Sequence, residues 1–436
     1  MLSILSLGRV QTAEIAARST RKVKQDGVGS FLKAATNRIV DVSNVLLFKA
    51  LFGSLTREEM IQRAKESGGY WEFGSAEEIE IKPQADKTLE DRSVPELFAE
   101  YAGTYDVRRP FVCELNGGLL INAADPLVVD QNRNVVMETE KPLFGARKGA
   151  SRADTPFHKR TEYSDRSTSD RMGQLCRGYV QSRSRIHEQA RFDSVFPLFR
   201  RDTSYGHWVL DQLPTLRGLE HYKEMTGRDP TVVIESDPPG WIEETLSLVG
   251  VDSAVPLAVP VAKADRLIVS SCRESIPRNQ SVYEPSREDI TWLSREMKSR
   301  APPTTTKHPD RVYVSRENLA DRGRYVSNRE DLKRVLDEFD ITMCTPETLS
   351  IAEQIALYEN AEILIGPHGA GLTNMIFSSD TCVIELLNKS YPSYQHLAQL
   401  CGHEYHYLQS EGERGHHTPI EIDVAELREL LKRAST

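Results

Sequence analysis

The stretch Gly366-Pro-His-Gly-Ala-Gly-Leu-Thr-Asn374 gathers three glycines, a histidine and an asparagine directly after the apolar run Ile363-Leu-Ile365. That run predicts a short buried strand, Gly366, Gly369 and Gly371 predict a turn, and Leu372 to Phe377 predicts the opening of a helix. At such a junction the first helical N–H groups lack an intrahelical acceptor and lie at the positive end of the helix dipole, which suits a phosphate. The glycines, with the small Ala370 between them, let the backbone come close to the anion. His368 adds a side chain that can donate to a phosphate or bridging oxygen. Together with Asn374 it exceeds what a bare turn requires.

Two further residues fall at strand ends. Arg311-Val-Tyr-Val-Ser315 reads as a strand with Arg316 just beyond it, and Thr381-Cys-Val-Ile-Glu-Leu386 as another that carries Glu385. An arginine there can pair with a diphosphate, and a glutamate on a neighbouring strand can accept from a ribose diol. With the glycine turn they outline a nucleotide site. Earlier, Ser204-Tyr-Gly-His-Trp-Val-Leu-Asp-Gln-Leu-Pro-Thr-Leu-Arg217 sets His207 and Asp211 four residues apart, on one helical face. Trp208, Val209, Leu213, Leu216 and Leu219 form an apolar face. Pro214 conflicts with an uninterrupted helix and predicts either a kink or a start near Asp211.

The elements that must position these residues alternate. Thr231–Ile234 and Arg266–Ser270 read as buried parallel strands around a helix from Trp241 to Val249. Short runs at Phe111–Cys113 and Gly118–Asn122 suggest strands. Ala301-Pro-Pro-Thr-Thr-Thr-Lys-His-Pro309 is the best linker in the chain. Beyond it, Ser327-x-x-Glu330 and Ser350-x-x-Glu353 are capping boxes that open helices reaching Asp337 and Tyr358, with Ile341–Cys344 as the strand between. Repeated strand–helix–strand units imply a parallel sheet that takes its ligands at the carboxyl ends of its strands. Val424 to Arg433 is an amphipathic helix expected to pack back on the first lobe. Residues 146–191, rich in Arg, Ser and Asp, read as a long loop.

At 436 residues the chain exceeds one ordinary core. The expected division is a helical, peripheral N-terminal extension (1–95), an α/β lobe (96–300) and a nucleotide-binding α/β lobe with a closing helix (301–436). The net charge of −9, from 64 acidic and 55 basic side chains, argues against a general nucleic-acid binder. Six cysteines without a CxxC pair indicate neither a zinc site nor a disulfide framework. His403-Glu-Tyr-His406 and His416-His417 have no second cluster spaced to complete a tetrahedron, so no metal is expected. No Asp-x-Asp occurs anywhere in the chain, which fits a diphosphate held by arginine and helix N–H groups rather than by a divalent cation. The start shows no secretory signal and no membrane span. Arg18, Arg21, Lys22, Lys24, Lys33 and Arg38, with the cluster Val45–Phe52, are either a helical extension packed on the body or a basic amphipathic surface for an anionic membrane.

Five blocks, in order, resemble glycosyltransferase family 61: Gly206-His-Trp-Val-Leu-Asp-Gln-Leu-Pro214, Val312-Tyr-Val-Ser-Arg316, Leu349-Ser-Ile-Ala-Glu-Gln354, Gly366 to Asn374, and Val383-Ile-Glu-Leu386. They span about Tyr205 to Tyr407. The resemblance implies an inverting, metal-independent transferase with two Rossmann-like lobes (GT-B type) and a nucleotide-diphosphate sugar held by the second. It implies that Arg316, His368 and the turn Gly366, Gly369, Ala370, Gly371 hold the diphosphate, that Glu385 sits near the ribose, and that His207 and Asp211 face the acceptor. Either of that pair could take the acceptor's proton, Asp211 with His207 orienting it or the reverse. The expected acceptor is a glycan, a lipid-linked saccharide or a protein, and the expected location cytoplasmic, peripheral at the inner membrane face. A nucleotide-sugar epimerase and a non-catalytic binder are the rival readings.

Overall fold

The computed structural model describes residues 52–83, 98–99, 101–122, 126–140, 190–199, 204–272, 275–277, 285–318, 323–388, 392–410 and 418–434. The basic N-terminal segment up to residue 51, most of the long Arg-rich stretch and His416-His417 therefore lie outside the described residues.

The described residues are mixed α/β, built on three sheets. Strands Arg311–Val314, Thr342–Cys344, Ile363–Pro367, Cys382–Leu387 and Glu404–Gln409 form a five-stranded, wholly parallel sheet with Ile363–Pro367 at its centre. The near-continuous apolar runs of Ile363–Pro367 and Cys382–Leu387 are what a strand buried on both faces requires. The earlier sheet is mixed: Val261–Ser270, Ala190–Pro197, Thr231–Ile234 and Ala254–Pro256 run parallel, whereas Phe111–Ile121 pairs antiparallel with Val261–Ser270 and with Leu127–Asp130. The two short runs expected around residues 111–122 are one 11-residue strand, because the pairing with Val261–Ser270 keeps one register through Asn116 and Gly118, on either side of Gly117.

The expected helical extension differs where it is described. Gly53–Leu55 and Tyr70–Glu72 add strands to the mixed sheet, around a helix Arg57–Glu66 capped by a Thr56–Glu59 box. Glu77–Ile81, within the acidic stretch expected to be peripheral, joins a three-stranded sheet with Gly103–Val107 and Ser275–Pro277. There Glu77 accepts from the Arg287 and Glu288 N–H groups, serving the start of helix Arg287–Arg300 from another part of the chain.

Residues 301–310 carry no helix or strand, yet the apolar core does not stop at them. One cluster runs through Phe73, Ile268, Trp208, Val314, Leu364 and Tyr407, crossing from the mixed sheet to the parallel one. The Gln395 and Gln399 amides both donate to the Lys82 carbonyl, tying the small sheet to helix Ser393–Cys401.

Two helix expectations are corrected. Ser350–Glu353 forms its capping box, but Ser327 does not: its N–H and hydroxyl both reach the Ile420 carbonyl, and helix Arg329–Glu338 starts after Asn328. The competing tertiary pairing, Val326 with Ile420, takes the serine away from the cap. Helix Val424–Ala434 packs on Arg329–Glu338 within the second half, Arg428 Nε donating to Glu338 at 2.7 Å, and not on the first lobe.

Candidate active site

The segment from Tyr205 to Thr226 resolves the Pro214 conflict by changing pitch. Tyr205–His207 is α-helical, Trp208–Gln212 is a π-turn, Leu213–Thr215 is 3₁₀, and Leu216–Thr226 is α-helical again. The Leu213 N–H reaches the Trp208 carbonyl five residues back, so the missing Pro214 N–H falls between two helix types. Trp208, Val209, Leu213, Leu216 and Leu219 are buried, as their spacing predicts. His207 and Asp211 are left together, Nδ1 to Oδ2 at 2.8 Å, both partly exposed.

Gly206 rests on the glycine turn. A Cβ at this position would lie 3.1 Å from Thr373 Oγ1 and 3.7 Å from Ala370 Cβ. The close approach brings the His207–Asp211 pair to the same seam as the turn. A polar chain locks the seam: Tyr205 Oη donates to Asn374 Oδ1 at 2.7 Å, Asn374 Nδ2 to Gln354 Oε1 at 2.8 Å, and Gln354 Nε2 to the Leu349 carbonyl at 3.2 Å. Asn374, grouped with the glycine turn as a candidate donor-binding residue, is thus fully buried and spent on linking Tyr205 to Gln354. Replacing Tyr205 by Phe leaves a buried Asn374 acceptor short of its donor. We expect a loss of about 1–3 kcal/mol, read as a lowered denaturant midpoint at unchanged m-value.

The turn itself opens a 3₁₀-helix, Ala370–Phe377, whose residues from Leu372 onward are buried. Its three glycines have different jobs. Gly366 and Gly371 make room for Val314 on the next strand, which a Cβ would meet at 3.2 Å and 2.7 Å. Gly369 makes room for Arg316: its Cβ would stand 1.9 Å from Nη1. The Arg316 guanidinium therefore packs directly against the turn. His368 and Ala370 are partly exposed beside it.

Glu385 is corrected. It is fully buried, with Oε1 2.5 Å from His368 Nδ1 and Oε2 accepting from Tyr405 Oη at 2.5 Å. A carboxylate shielded in this way stands behind His368 and not at a ribose. Tyr394 closes the other side of the imidazole, edge to face at 5.0 Å, its phenol pushed up to about 12 by burial. Neither Tyr394 nor Tyr405 was singled out from the sequence. On the adjacent strand Tyr407 pairs with Glu385, and Tyr405 stands two residues earlier, opposite Val383.

The late histidines separate. His403 is buried, its Nε2 2.9 Å from the Met375 carbonyl, and burial holds its pKa below the usual histidine value. A group charged more readily when unfolded stabilises the fold above about pH 6.5 and loses that contribution as pH falls. His403→Phe is expected to flatten the acid limb of a Tm-versus-pH curve. His406 lies with Glu404 and Cys382 at the opposite strand ends from the turn, three donor atoms within 4.8 Å, one fewer than a closed tetrahedral set.

Comparison with known sequences matches residues 205–384 to the family described as Glycosyltransferase 61. This segment belongs to glycosyltransferase family 61. Relatives of the chain include an EGF domain-specific O-linked N-acetylglucosamine transferase of Drosophila melanogaster, 35% identical over 143 residues (28% of this chain, 27% of the relative). A second, from Xenopus laevis, is 28% identical over 155 residues (30% of each chain), and a beta-1,2-xylosyltransferase of Arabidopsis thaliana is 28% identical over 87 residues (19% and 16%). The aligned stretches thus span less than a third of each relative. The family 61 segment holds both histidine–carboxylate sites and the turn, except that Glu385 stands one residue past its end.

Proposed function

We propose that this chain is an inverting, metal-independent glycosyltransferase that moves a sugar from a nucleotide-diphosphate donor to an acceptor hydroxyl. The observation that carries the reading is the seam: Gly206 seated on Ala370 and Thr373 brings His207–Asp211 beside the turn that bears His368 and against which Arg316 packs. Such a site has a proton-accepting pair on one wall and a diphosphate-holding wall opposite. The acceptor oxygen attacks the anomeric carbon, its proton passes to Asp211, and the bond to the diphosphate breaks with its electron pair leaving on the phosphate oxygen. Arg316, His368 and the first N–H groups of the 3₁₀-helix balance that charge. The turn's placement at the carboxyl end of the central parallel strand supports a second lobe of the Rossmann-like, GT-B kind.

The relatives' names speak of N-acetylglucosamine moved to EGF domains and of xylose. They make an N-acetylhexosamine or pentose donor, and a glycan, lipid-linked or protein acceptor, the first to test. A thermal-shift screen across nucleotide sugars, followed by incubation with donor alone, is the direct experiment. A stabilising donor whose sugar is transferred only when an acceptor is added supports transfer. Isomerised sugar without acceptor sinks it in favour of epimerisation. Among the described residues no helix is long and apolar enough to cross a membrane. The basic N-terminal segment supports peripheral attachment at a cytoplasmic membrane face, which co-sedimentation of the full chain and a 61–436 form with anionic liposomes tests.

A further inference from the structure

Glu385 stands in the middle of Cys382–Leu387, a strand whose every residue is buried, between Ile384 and Leu386. An ionisable group there costs several kcal/mol unless its oxygens are satisfied, and an aliphatic residue would serve the core better. Each oxygen is satisfied by one group: His368 Nδ1 and the Tyr405 hydroxyl. Of the three side chains only His368 reaches the surface, 12% exposed. Tyr405 is held protonated, its phenol raised well above the usual value by burial and then by the Glu385 charge, so it donates to Oε2. An ionised Glu385 then accepts Nδ1–H at Oε1, and Nε2 lies on the far side of the ring. For Nε2 to donate to a phosphate oxygen the ring must carry both protons, and the buried carboxylate supplies the counter-charge such an imidazolium needs.

We propose that Glu385 and Tyr405 are a positioning pair for His368, which turn its Nε2–H toward the diphosphate of the donor. The pair acts through the imidazole and touches no substrate. This rests on the reading of the glycine turn as a diphosphate site. Its consequence is that removing Glu385 matters only while His368 is present, whereas a merely structural carboxylate would act independently of it.

The test is a double-mutant cycle on the affinity of the full chain for inorganic pyrophosphate, measured by calorimetry, which needs neither the sugar nor the acceptor. The variants are Glu385→Gln, Tyr405→Phe, His368→Gln and Glu385→Gln combined with His368→Gln, each checked for a cooperative melt. Expected is a weakening of about tenfold or more for Glu385→Gln and His368→Gln, a smaller one for Tyr405→Phe, and a double variant no weaker than His368→Gln alone. Unchanged affinity in Glu385→Gln, or a double variant in which the two losses multiply, overturns the positioning role while leaving the diphosphate site intact. Absence of pyrophosphate binding by the unmodified chain overturns both. If Glu385→Gln does not fold, Tyr405→Phe combined with His368→Gln completes the same cycle.

Discussion

An Asp211→Asn chain is expected to bind its nucleotide sugar normally and to turn over about 10²–10⁴-fold more slowly, the usual worth of a positioned general base. Asparagine keeps the size of the side chain and can still accept from the His207 ring, so the 2.8 Å contact and the π-turn that presents it survive. What is lost is the ability to receive a proton. On the proposed reading donor affinity is set on the opposite wall, by Arg316 and the turn, and has no reason to change. Calorimetry for binding and initial rates for turnover separate the two, and near-normal turnover in this variant would rule Asp211 out as the base. His207→Gln then decides the remaining order. If the imidazole only orients the carboxylate, its removal costs less than that of Asp211; if the imidazole is the base, it costs at least as much.

How far the chain could be read in advance depended on the range of the forces involved. Four strands of the parallel sheet were legible because each is a short, largely apolar run bounded by turn residues, a signal contained within a few positions. The fifth, Glu404–Gln409, alternates polar and aromatic residues and carries no such run. His207 and Asp211 were legible as a pair because a helical repeat alone puts residues four apart side by side. The π-turn that absorbs Pro214 was foreseen only as a conflict, since which helix type resolves it depends on packing around Trp208 and Trp241. Glu385 was misread because sequence placed it at a strand end, while its partners come from residues 368 and 405. Ser327 was misread for the same reason: a pattern four residues long lost to a pairing with Ile420, more than ninety residues away. Asn374 was selected for its type in a glycine turn, but its buried amide is satisfied by Tyr205 and Gln354, contacts that exist only once the seam has closed.

The glycine turn yields the second large effect. Gly369→Ala is expected to weaken donor binding by about 10- to 100-fold, the worth of charge-assisted hydrogen bonds lost from one guanidinium, with little change in melting temperature. Gly369 has an extended backbone, φ 170°, that alanine adopts without strain, so the whole penalty is steric. The added methyl would stand 1.9 Å from Arg316 Nη1, 2.7 Å from its Cζ and 3.1 Å from its Cδ, so what must move is the Arg316 side chain, most of all its guanidinium. Gly371→Ala is the control, because its Cβ would meet Val314 Cγ1 at 2.7 Å. That neighbour is a β-branched residue fixed in a buried strand, and overpacking it costs about 1–3 kcal/mol of stability. One methyl should therefore cost affinity and the other stability, although the two positions are two residues apart. Combining Gly369→Ala with Arg316→Ala closes the argument: if the glycine exists to let the guanidinium lie on the turn, the methyl adds nothing once the arginine is gone. A further loss of affinity in the combined variant would mean that the methyl obstructs the donor itself, and that Arg316 is not what Gly369 makes room for.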